Sequence, residues 1–223
     1  MAKTLAQVQA RVYSILGVSD TKAANGQYSR DQVTAQANTA QRFIVKGAIP
    51  ASLGGLVKRS TQAFTVGHAI GEFTKSAAGS GRLLAVVEGT GYTDKVPILS
   101  FDEWMDLAKS EELPNSDRRS HFATELGDKV MIRPAIPAYT SFIEVYVDDP
   151  TDMEDQADVI SLPDDWFEWL SICTAEMLLL NARDFDKLGE VRNTKTGWSA
   201  QFKTQYGMNP PSTEAPAEAG KVV

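Results

Sequence analysis

The chain has 223 residues, of which 43% are hydrophobic, 23% charged and 9% aromatic, with a formal net charge of −7. That composition excludes a disordered chain, and the acidic balance excludes a protein whose main work is gripping nucleic-acid phosphates, which takes clustered Lys and Arg. The length admits one larger domain or two small ones with a real core, so it does not by itself demand a partner.

Thr4 and Gln7 form a capping-box pattern, and Leu5, Val8, Val12, Ile15 and Leu16 recur at helical spacing until Gly17, which predicts a first helix. Ser29 with Gln32 repeats the pattern, and Val33, Ala37, Ala40 and Ile44 line a second helix ending before Pro50. The polar connection Ser19 to Tyr28, with Asn25 and Gly26, reads as a surface turn. From Pro50 to Gly91 the runs AFTVGHAIGEF and RLLAVVEG suit short strands. A third capping box, Ser100 with Glu103, predicts a short helix carrying Phe101, Trp104, Met105 and Ala108, followed by the charged loop KSEELPNSDRRS. In Lys129 to Arg133 and Phe142 to Asp148 apolar and polar residues interleave as in half-buried strands.

Pro163, Asp164 and Asp165 mark the start of a helix whose apolar residues fall on nearly every side, among them Trp166, Trp169, Leu170, Cys173 and Met177. A helix of that kind must be covered all round, and these five are expected to pack as a core stripe against the two N-terminal helices. The last helix, Asp186 to about Tyr206, is largely polar but places Trp198, Phe202 and Tyr206 four residues apart. That spacing predicts one exposed apolar line in an isolated subunit, followed by a Pro-, Ala- and Glu-rich tail containing Pro210 and Pro211.

Residues for chemistry are sparse. His68 and His121 stand in different segments without ligand-type neighbours, and the Gly-x-Gly pairs at Gly79 and Gly89 lack both the third glycine and a P-loop lysine. The carboxylates Asp148, Asp149, Asp152, Glu154, Asp155 and Asp158 fail the EF-hand spacing and read as a solvated loop. No metal, cofactor or catalytic set is therefore expected. Cys173, the single cysteine, reads as a small core hydrophobe. The N-terminus has no secretory pattern, and the apolar run Trp166 to Leu180 is interrupted by Glu168 and Glu176 and is short of a membrane span, so cytosolic synthesis without a membrane anchor is expected.

GDKVMIRPAIP followed by SFIEVYVDDP, the entry SLPDDW to an apolar helix, and the polar helix Arg183 to Phe202 together resemble the head-to-tail connector (adaptor or neck) proteins of tailed bacteriophages. The resemblance implies an α+β fold in which N- and C-terminal helices form a bundle with an inserted β-rich region, a small sandwich or barrel. Its expected regions are N-terminal helices over 1–49, the insertion with one short helix over 50–150, C-terminal helices packing on the N-terminal ones over 151–207, and an extended tail over 208–223. It further implies a virion protein made in the host cytoplasm, assembled as a closed ring of about twelve copies beneath the portal protein. A tail or nozzle protein would bind the other face, DNA would pass through the bore without sequence-specific binding, and Trp198, Phe202, Tyr206, Pro210 and Pro211 would dock on the portal. The alternatives are a tail terminator or head-completion protein, or a monomeric α+β domain with an enzymatic role of unrecognised type.

Overall fold

The computed structural model describes residues 2–19, 28–48, 50–63, 71–76, 82–88, 95–109, 122–133 and 141–206. It is an α+β protein with helices at both ends and a β region in the middle. Two compact units are formed, one from residues 1–56 and 150–223, the other from Val57–Asp149. Residues 20–27 of the predicted turn, both histidines, both Gly-x-Gly pairs, residues 110–120 of the charged loop, and Pro210 and Pro211 lie outside the described residues.

The helical unit begins with α1 (Leu5–Leu16), whose capping Thr4 N–H donates to Gln7 Oε1 at 3.1 Å. Gly17 ends it in the left-handed region at φ 64°, a conformation glycine adopts without the Cβ clash that penalises other residues. In α2 (Arg30–Gly47) the box is reciprocal: Ser29 N–H donates to Gln32 Oε1 at 2.9 Å, and Gln32 N–H returns to Ser29 Oγ at 3.3 Å. Its buried face is Val33, Ala37, Ala40, Gln41, Ile44 and Val45.

The next helix in chain order, α3 (Phe101–Lys109), belongs to the other unit. A single 3-10 turn, Asp164–Trp166, then leads into α4 (Phe167–Ala182) of the helical unit. Every residue from Trp169 to Glu176 is buried, so α4 has no outward face over two turns. It packs on α1, on α2 and on α5 (Phe185–Tyr206). Burying a helix all round also buries its hydroxyls, and Ser171 Oγ and Thr174 Oγ1 satisfy theirs on the carbonyls four residues back, Phe167 and Leu170, at 2.9 and 2.7 Å.

The segment between Pro150 and Pro163 is stitched to both N-terminal helices. Two N–H groups of the first turn of α1, which have no partner inside the helix, donate outward: Leu5 to the Asp158 carbonyl at 2.8 Å and Ala6 to that of Gln156 at 3.1 Å. On α2 the Asn38 carboxamide acts as a peptide group, accepting from Met153 N–H and donating to Met153 O, both at 3.0 Å.

The second unit holds two four-stranded sheets and α3, which is capped by Ser100 and Glu103. The strands are β1 (Val57–Ala63), β2 (Gly71–Thr74), β3 (Arg82–Glu88), β4 (Lys95–Val96), β5 (Ile98–Leu99), β6 (Phe122–Leu126), β7 (Lys129–Arg133) and β8 (Ser141–Val147). One sheet runs β1-β8-β3-β4 and the other β2-β7-β6-β5. Their shared core draws Leu83, Val86, Val96 and Phe142 from the first and Phe73, Ala123, Val130 and Ile132 from the second. The entry strand β1 and the exit strand β8 pair antiparallel over their whole length, from Val57↔Val147 to Ala63↔Ser141. The β6–β7 hairpin turns on Gly127, at φ 62°, and Asp128. The β5–β6 pair is parallel, with α3 between its strands in the chain.

Candidate functional site

Trp166, Trp169, Leu170 and Cys173 are buried in α4 and its entry turn, and Met177 is half-buried. Trp166 Nε1 donates to the Ser52 carbonyl at 2.9 Å. The expected single stripe facing the N-terminal helices is too narrow a description, because α4 is covered from three directions and its two tryptophans also receive α5.

The expected exposed line on α5 needs correction. Phe202 is only 2% exposed and Trp198 is half-buried. Four rings form a continuous ladder: Trp169 to Trp198 at 4.9 Å between centroids, Trp198 to Phe202 at 5.0 Å, and Phe202 to Trp166 at 4.7 Å. Spacing of four puts Trp198 and Phe202 on one helical face, and burying that face on the tryptophans of α4 removes large apolar rings from water. The Tyr206 side chain lies outside the described set.

Beside the ladder sits a buried charge. Glu176, 2% exposed, accepts from Arg192 Nε at 3.0 Å and from Lys195 Nζ at 2.6 Å. Lys195 Nζ also stands 5.4 Å from the centre of the Trp169 ring. Sequence periodicity gave no sign of this pairing, since Glu176 falls within an apolar run and its partners lie 16 and 19 residues on.

Cys173 is inert in this setting: burial, with a smaller contribution from Glu176 against the opposing pull of Lys195, pushes its thiol up to about 12. The acidic segment is used locally. The Asp158 carboxylate accepts the N–H groups of Glu154 and Asp155 at 2.7 and 2.8 Å, which holds it below the usual carboxylate range, and Asp152 pairs with Arg42. Among the described residues no group of three or more His, Cys, Asp or Glu side chains is arranged to hold a metal ion.

In the β unit the fully buried Glu144 of β8 accepts from Gln62 Nε2 at 2.9 Å and Ser76 N–H at 3.0 Å, tying β1 to the end of β2. In the helical unit a cavity of about 150 Å³ between α2 and α4 is lined by Tyr28, Gln32, Gln36, Leu178, Asn181 and Ala182. The Tyr28 hydroxyl is buried without a hydrogen-bond partner, and burial and the nearby Asp184 carboxylate raise its pKa, so it stays protonated. Leu180, expected to be covered with the rest of its apolar helix, is instead 44% exposed, and Phe43, Val159 and Phe185 of the helical unit also face outward, the last 67% exposed. No helix among the described residues is long and apolar enough to cross a membrane. No protein-family model matches the chain, and no curated protein matches it.

Proposed function

We propose that this chain is a head-to-tail connector of a tailed bacteriophage. It joins the portal protein to a tail or nozzle protein as a closed ring of copies, in the virion neck, and lets DNA pass through the bore. The observation that carries the reading is the order of elements: a helical unit built from both ends of the chain, interrupted by a β unit that enters and leaves on paired strands. The net charge of −7 supports passage of DNA without retention. With Trp198 and Phe202 turned inward, portal contact falls to the outward side of α5 and to the tail over 208–223, which supplies reach at low ordering cost.

The test is co-expression with the portal protein encoded in the same genome, followed by sedimentation and electron microscopy. The expected result is a ring of this chain on the portal, weakened in a chain lacking residues 209–223 that is otherwise folded. A chain that stays monomeric beside assembled portal rings and binds none of them overturns the reading.

A further inference from the structure

We infer that α5 is exchanged between copies of this chain: the turn between α4 and α5 opens, and α5 lies on the α4 of a second copy, making there the contacts it makes at home. Three features of the turn and its surroundings carry this. First, the connection is only Arg183 and Asp184, and Arg183 stands at φ 56°, the only non-glycine residue with positive φ among the described residues. A side chain in the left-handed region crowds its own backbone, and opening the turn lets Arg183 return to the right-handed region and join α4 and α5 into one helix. Second, α5 is held by contacts that a second copy can supply unchanged: the aromatic ladder and the Glu176 pair with Arg192 and Lys195, made to α4 and its entry turn, and the bond from Lys187 Nζ to the Leu16 carbonyl of α1 at 3.3 Å. Third, Leu180 and Phe185 flank the turn with 44% and 67% of their surface exposed. Two exchanged copies cross at that turn, so these are the apolar residues that the crossing covers.

The thermodynamics favour a close balance. Because the contacts of α5 with α4 and α1 are the same in the closed and exchanged forms, they cancel, and the equilibrium is set by the turn, the crossing and the concentration of chains. Once straightened, α5 with its 22 residues reaches roughly 33 Å from the turn, enough to lie along a neighbour. The exchange does not depend on the connector reading: a reciprocal swap gives a dimer, and a head-to-tail swap gives a ring.

Charge-reversed chains test it. In E176K the home α5 meets like charge, and so it does in R192E/K195E, so neither chain closes well alone or with its own kind. Mixed and refolded together, the two pair only by exchange: Glu176 of one chain meets Arg192 and Lys195 of the other, and the reversed set pairs likewise. The expected result is a one-to-one mixed species in native mass spectrometry that melts cooperatively within a few degrees of the parent. Absence of a mixed species, while a single chain carrying E176K/R192E/K195E folds like the parent, overturns the proposal.

The turn gives a second measurement that keeps every chain folded. Arg183→Gly removes the left-handed penalty from the closed form and should lower the exchanged fraction about tenfold at equal concentration. An oligomer fraction unchanged by Arg183→Gly also overturns it. A ring on the portal whose copies keep α5 at home would sink the exchange and leave the connector reading standing.

Discussion

Cys173 and Asp158 show how differently one fold treats two ionisable groups. The thiol, with its pKa pushed up to about 12, is a thiolate about a thousandfold less often than an exposed cysteine at pH 8, before access is counted. A disulfide reagent should therefore leave native protein unlabelled over minutes and label it fully in denaturant; fast native labelling would mean α4 is not closed over. Its raised folded pKa also costs stability in alkali: the unfolded thiol ionises near 9 while the folded one does not, so stability falls above about pH 9. Asp158 runs the other way. Its folded pKa is depressed, so its contribution is fully present above the unfolded value near 3.8 and is lost as pH falls through the folded one. Asp158→Asn should lower the melting temperature at neutral pH and converge with the parent as the pH falls below about 4, so the acid limb of its pH–melting curve is flatter. Cys173 was legible as a core residue because its neighbours are apolar. The role of Asp158 was not, because composition shows a charged run and hides which carboxylate closes a turn.

At the scale of elements, the three capping boxes gave helix starts that hold to the residue, since a box is a local exchange of hydrogen bonds and needs no tertiary context. The exposure of α5 was misread for a matching reason. A spacing of four says which residues share a face and is silent on whether the chain itself covers that face. The turn at Arg183 carries no glycine to announce it, and the two-residue strands β4 and β5 are too short to show a period. The encircled state of α4 makes a sharp prediction. Leu170 has none of its surface exposed, and Leu170→Asp should destabilise the helical unit by more than about 3 kcal/mol, enough to prevent soluble expression. A soluble variant melting like the parent would show that α4 tolerates water on that side.

For the whole molecule the division into two units has a practical reading. The helical unit is closed by contacts among α1, α2, α4, α5 and the 150–163 segment, and every strand among the described residues belongs to the other unit. Val57 and Val147 are register partners, so the ends of the insertion lie as close as two paired strands, about 5 Å apart. Replacing residues 57–149 with a short Gly-Ser linker should leave a helical unit that melts cooperatively and keeps the near-ultraviolet circular dichroism of its stacked tryptophans. A loss of that signal would show that the helical unit needs the β unit to form. The mixed order, helices then strands then helices, was visible in the change of pattern at Pro50 and again at the acidic segment. The registers inside the β unit were not, because long-range pairing leaves no local trace.

The paired entry and exit strands also decide how the β unit would answer a mechanical pull. Tension drawing Leu56 away from Pro150 loads the β1–β8 ladder at one end, Val57 against Val147, so its rungs break in succession toward Ala63 and Ser141. A ladder loaded this way opens like a zip, whereas strands pulled along their length must break many bonds at once. Pulled from its two ends, the insertion therefore opens from its root one rung at a time.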